Sequence, residues 1–101
     1  PGQSAEARRV PAYEVTIQSA LGISTADLTL LRCASNGMVD KLIAKKLLLS
    51  AHRVHARWRR IRRALGANDR SHAVAIALAL GIIPPPLHAL TLTERLHNQR
   101  R

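Results

Sequence analysis

The stretch Ser50–Gly66, SAHRVHARWRRIRRALG, decides how the chain is read. Ser50 can accept a backbone N–H bond and open a helix. Gly66 can take the left-handed conformation that closes one. The spacing between them predicts a helix over Ala51–Leu65. At roughly 100° per residue, Val54, Trp58, Ile61 and Leu65 fall on one narrow stripe, which must face a core. His52, Ala56, Arg59 and Arg63 fall on the opposite side. His55 and Arg62 flank them on one edge, Arg53 and Arg60 on the other, and Arg57 sits nearer the core boundary.

Six arginines on one helix need an anion, because like charges at i, i+4 repel. A helix of this kind suits the major groove of double-stranded DNA. Its back packs on the domain and its front is long and cationic. Ala56 is small enough to let the backbone approach the bases. Arg can bond two acceptors on guanine at once, while flanking Arg residues hold phosphates. The residues at the N-terminal end of such a helix usually read the bases. The blander reading is a solvated basic face, which leaves the repulsion among these arginines uncompensated.

Outward from this helix, the pattern predicts a second one over Asp40–Leu48. Leu42, Ile43 and Leu47 are its expected buried residues, and Lys41, Lys45 and Lys46 point outward. The candidate DNA-binding set is therefore Lys41, Lys45, Lys46, His52, Arg53, His55, Ala56, Arg57, Arg59, Arg60, Arg62 and Arg63. From Lys41 to Asn68 there are nine Lys or Arg and no acidic residue. A further helix is expected from Thr25 to Asn36, capped by Ser24 or Thr25, favoured at its positive end by Asp27 and stopped by Gly37. Its apolar face combines Leu28, Leu31 and Ser35, widened by Leu30 and Ala34. Another helix is expected from Arg70 to Leu80, with Asn68 or Asp69 as cap and Gly81 as stop. Pro84, Pro85 and Pro86 forbid continuation. Thr91 and Glu94 have the spacing of a capping box, which predicts a terminal helix over Leu92–Asn98. Before Gly22, Pro11 could start a short helix through Tyr13, although Val15 and Ile17 alternate like a strand.

The 101 residues fit one domain. Sixteen Lys and Arg against six Asp and Glu give a formal charge of +10, which calls for a polyanionic partner. The hydrophobic share of 47% comes mainly from Ala, Leu, Ile and Val, with one Trp, one Tyr and no Phe. Such a core suits packed helices. The expected fold class is all-α: an N-terminal arm over 1–22, a tetrahelical helix-turn-helix domain over 23–83 and a proline-led extension over 84–101. The chain begins with Pro1 rather than Met, as a stand-alone protein after processing or a fragment of a longer one would.

With these elements in place, Ile23 to Leu78 resembles the helix-turn-helix of the LuxR (GerE) family of bacterial transcription regulators. The resemblance runs through Ile23, Ser24, Asp27, Leu30 and Leu31, then Gly37, Ile43 and Ala44. It continues through Leu47, Leu49 and Ser50, then Val54, Ile61, Leu65 and Gly66, and ends on Arg70, Ala73 and Val74. It covers a little over half the chain without a gap. The sequence departs from the family pattern at Val39, Leu42, Arg53, His55 and Arg57. The resemblance implies a sequence-specific DNA-binding regulator that dimerises through its fourth helix; the single cysteine, Cys33, fits a reducing cytoplasm, where such a regulator would sit at the nucleoid. Ala73, Ile76, Ala77 and Leu80 give that helix an apolar stripe. Val74, Leu78, Ile82 and Ile83 add more apolar surface than one side needs; a second copy would cover it, or it packs in the domain's own core.

No catalytic, cofactor or metal site is expected. His52 and His55 lie three apart, but no Cys, Asp or Glu stands near to complete a metal site. Cys33 reads as a small core residue, and no nucleophile–base pair or phosphate loop is present. Membrane binding is not expected, because no apolar run is long enough to span a bilayer and the apolar stripe of the basic helix is needed for the core. A reading from another class remains: a protein-interaction module that uses the same scaffold to bind a regulator or RNA polymerase.

Overall fold

The computed structural model describes residue 17 and residues 19–99, and every regular element among them is helical. The basic pairs Arg8–Arg9 and Arg100–Arg101, and most of the segment from Pro11 to Ile17, lie outside the described residues. Residues 19–21 are helical and precede five longer helices: α1 Thr25–Ser35, α2 Asp40–Leu47, α3 Ala51–Leu65, α4 Arg70–Ala79 and α5 Leu87–Gln99.

Several boundaries have a local cause. Ser24 Oγ accepts from the Asp27 N–H at 3.1 Å, and Asp27 Oδ2 accepts from the Ser24 N–H at 3.1 Å. This reciprocal capping box satisfies two otherwise orphaned donors at the start of α1. At its end, Gly37 has φ 90, and the Gly37 and Met38 N–H groups return to the Ala34 and Cys33 carbonyls. That pair of bonds is a Schellman closure, for which a residue without Cβ is best suited. Ser50 Oγ caps α3 through the Arg53 N–H, and Asp69 Oδ1 caps α4 through the His72 N–H. α2 starts on Val39, which supplies no side-chain cap, and stops on Leu48 at φ 57. A left-handed Leu is unfavourable by roughly 1–2 kcal/mol, so the three-residue link from α2 to α3 is held by the packing on either side of it. Leu47 and Leu49 supply that packing, since both lie against the core.

The core sits between α1, α2, α3 and α4. Leu30, Leu31, Ile43, Val54, Trp58, Ile61, Ala73, Ala77 and Ile83 are buried, and Leu65 packs at the edge. Trp58 Nε1 donates to Asp40 Oδ1 at 3.0 Å. Arg70 Nε donates to the same oxygen at 2.9 Å, and Arg70 Nη2 donates to the Met38 carbonyl at 2.6 Å. The guanidinium carbon of Arg70 lies 5.1 Å from the Trp58 ring centroid, within cation–π range. One carboxylate thus joins the starts of α2 and α4 to the middle of α3.

Three expectations need correction. Leu42 is 52% exposed rather than buried. Ile43 and Leu47 share the inward stripe of this short helix, and Leu42 is turned about 100° away from Ile43. The terminal helix starts at Leu87, not Leu92. The Leu87 N–H is accepted by Asn36 Oδ1 from the end of α1. Thr91 and Thr93 turn their hydroxyls back to the Leu87 and Ala89 carbonyls inside the helix, so no capping box forms there. Lastly, the apolar surplus of α4 is smaller than the pattern suggests. Ile83 is in the core, and Val74, Leu78 and Ile82 pack against it. Leu80 remains exposed, and the larger open apolar surface lies on α5 at Leu87, Leu90, Leu92 and Leu96.

Trp58→Ala is expected to destabilise the domain by about 3–5 kcal/mol, since it removes a buried ring. Asp40→Ala should destabilise it by about 1–3 kcal/mol, because the buried Trp58 N–H then lacks its partner. Urea unfolding followed by circular dichroism measures both. An unchanged midpoint for Trp58→Ala would contradict the core placement of the ring.

Candidate nucleic-acid interface

The capped, Gly-stopped helix α3 presents two unlike sides. Val54, Trp58 and Ile61 are buried. His52, Arg53, His55, Arg59, Arg60 and Arg63 are exposed, and Ala56, Arg57 and Arg62 are half-buried. Ala56 therefore lies closer to the body than the wheel projection suggests. Lys41, Lys45 and Lys46 are exposed on α2, the helix that precedes α3 and packs against it.

The cations differ in what already holds them. The side chains of Lys41, Lys45, Lys46, His52, Arg53, His55, Arg59 and Arg63 make no hydrogen bond or ion pair with another described residue. Arg62 Nη1 reaches the Asn68 carbonyl at 3.4 Å. Arg60 is held more firmly: its Nη2 donates to Asp27 Oδ1 at 2.8 Å. Arg57 Nη1 lies 4.0 Å from the same oxygen. Asp27 is 1% exposed, and it is the buried acid that these two arginines cover.

Burial alone would raise the Asp27 pKa. The hydrogen bond from Arg60, the bonds with Ser24 and the charge of Arg60 outweigh it, and the carboxyl is held below the usual carboxylate range. It is therefore ionised at neutral pH and anchors α3 to the first turn of α1.

Sequence reading gives Asp27 only a helix-end role and treats Arg60 as free for DNA. The Asp27–Arg60 contact spans 33 positions and has no local signature. Asp40 and Arg70 were missed as partners for the same reason, being 30 apart. An unpaired acid in the first turn of a helix, in a chain with so few acids, is the one signal that could have drawn attention to both aspartates.

Among the described residues, no group of three or more His, Cys, Asp or Glu is placed to hold a metal ion, and no helix is long and apolar enough to cross a membrane. No protein-family model matches the chain, and neither curated proteins nor solved structures yield a match.

The lowered Asp27 pKa sets a pH dependence. A carboxylate whose folded pKa is depressed stabilises the fold above its unfolded value of about 3.9, and that stabilisation is lost as the pH falls through the folded value. Asp27→Asn should therefore melt below the parent protein at pH 7, and the gap should close in strong acid. A gap of the same size at both pH values would show that the charge of Asp27 is not its source.

Proposed function

We propose that the protein is a sequence-specific double-stranded DNA-binding transcription regulator that inserts α3 into the major groove. One observation carries this reading. α3 is fixed to the core along one side by Val54, Trp58 and Ile61, and it bears exposed, unpaired cations along the other at Arg53, Arg59 and Arg63. A rigid element with a row of free guanidiniums is what base and phosphate recognition requires. The resemblance of Ile23–Leu78 to LuxR-type helix-turn-helix domains supports the same reading.

In this reading His52, Arg53 and His55, near the N-terminus of α3, face base edges, and Ala56 gives room for close approach. Arg59 contributes a base contact from mid-helix. Arg63, Arg62 and Arg57 hold phosphates with Lys41, Lys45 and Lys46, and Arg60 stands at the edge of the contact. The protein works in the cytoplasm at the nucleoid. Two copies bind an inverted repeat as a symmetric dimer, with α4 and the α5 leucines between them. Two bodies of +10 repel in free solution, and DNA relieves that repulsion.

A second reading is favoured by one observation, the exposure of Leu87, Leu90, Leu92 and Leu96 on α5. Such a helix also fits a module that binds another regulator or RNA polymerase. Titration against a mixed-sequence duplex at two salt concentrations separates the readings, since phosphate contacts weaken steeply with salt and an apolar protein interface hardly responds.

Arg59→Ala should lower affinity for the preferred duplex by about 1–3 kcal/mol and relax preference at one base position. An equal loss on every duplex would make Arg59 a phosphate contact. Ultracentrifugation on a footprinted site should give two proteins per duplex. One protein with a single half-site footprint would rule out the dimer.

A further inference from the structure

Arg60 differs from the other exposed arginines of α3 in having a fixed partner. Arg53, Arg59 and Arg63 are free rotors, whereas Arg60 is tied at Nη2 to Asp27 Oδ1 at 2.8 Å. Its side chain is nevertheless 56% exposed. A guanidinium carries five N–H donors in a rigid planar fork. One of these meets Asp27, and no other described residue takes the rest. Arg60 is therefore anchored at one corner and open to solvent at others.

The anchor itself is immobile. Asp27 Oδ2 accepts the Ser24 N–H at 3.1 Å, and its own N–H donates to Ser24 Oγ at 3.1 Å. The carboxylate is 1% exposed and cannot swing away without undoing the capping box of α1. Arg57 Nη1, 4.0 Å away, adds a second cation near the same oxygen.

We propose that Asp27 is a positioning residue for DNA recognition: it holds Arg60 in one orientation, so that the remaining N–H groups of Arg60 meet an acceptor pair on the duplex already aligned. This inference rests on the DNA-binding reading and adds to it the residue that sets preference from behind the interface. Its physical basis is preorganisation. A side chain ordered before binding loses less conformational freedom on binding, and its geometry rejects a misplaced acceptor. Asp27 has a second effect of opposite sign. A buried negative charge behind the interface weakens attraction to any phosphate backbone. Removing it should therefore strengthen sequence-independent binding while weakening discrimination. A residue that merely braces α1 against α3 would change stability and leave discrimination intact.

The test uses the full chain. A preferred duplex is selected from a random pool with the parent protein, and affinities for that duplex and a shuffled one are measured at fixed salt. Asp27→Asn, Arg60→Gln and the double variant are compared, with thermal melting in the same buffer. The expected result is a loss of about tenfold in the preferred-to-shuffled ratio for each single variant. The double variant should lose no more than either. Arg60→Lys keeps the charge beside Asp27 but lacks the fork. It should lose the same preference and keep its salt dependence. If Asp27→Asn does not fold, Asp27→Glu, which suits the capping position but shifts the carboxylate by one methylene, takes its place with the same loss of ratio expected. An unchanged ratio in Arg60→Lys overturns the proposal. So does an unchanged ratio in a folded Asp27→Asn, or a double variant in which the two losses multiply. A parent protein that binds no duplex overturns the DNA reading and this inference with it, a result distinct from a parent protein that discriminates as well as its variants.

Discussion

Three helices meet at one oxygen atom, Asp40 Oδ1, which accepts both the Trp58 indole N–H and Arg70 Nε. A Trp buried in a small helical core brings a polar N–H that must be satisfied. Asp40 satisfies it from the first turn of α2, where a carboxylate also suits the positive end of the helix. Arg70 completes the arrangement by covering the ring and bonding the Met38 carbonyl before α2. The long axis of α3 is fixed by this cluster near its middle and by Asp27–Arg60 half a turn further on. Both bonds run to acids held at the starts of other helices. The orientation of the cationic face follows from these bonds together with the buried stripe of Val54, Trp58 and Ile61.

That dependence explains which parts of the fold could be read in the sequence. α3 was legible to the residue, because Ser50 and Gly66 act locally and the apolar stripe repeats with helical period. The ends of α1 and α4 were legible for the same reason, each within one residue of its expected bound and two before Gly37 or Gly81. The start of α5 was not. It depends on a proline run that leads directly into a helix and on Asn36, 51 positions earlier, which receives the first N–H. Leu42 misled because a short helix offers few positions from which to fix the phase of its stripe.

The candidate site was legible in part. Which residues of α3 point away from the core mostly follows from periodicity: His52, Arg53, His55, Arg59, Arg60 and Arg63 are exposed, and Ala56, expected beside them, is half-buried. Which of those cations are already committed does not follow from periodicity. Pairing with Asp27 separates Arg60 from Arg59, although the two are neighbours of the same type. Among the described residues, Asp27 pairs with Arg60 and lies near Arg57, and Asp40 pairs with Arg70. These two acids are placed where they order arginines against helices rather than where they neutralise the open face.

The distribution of charge along the chain bears on how the molecule meets its partners. Residues 41–70 hold ten Lys and Arg and a single acid, Asp69, whereas residues 71–99 hold only Glu94 and Arg95 among the charged types. The second region is also where Leu80, Leu87, Leu90, Leu92 and Leu96 remain exposed. Charge repulsion between two copies is weakest where charged residues are fewest, and burial of apolar surface is most favourable where that surface is open. A polyanion has the reverse preference and is drawn to 41–70. The two tendencies act on different parts of the chain, the first on α4 and α5 and the second on α2 and α3. The proposed dimer on DNA would need that separation, since an interface built on the cationic face would require two like-charged surfaces to meet.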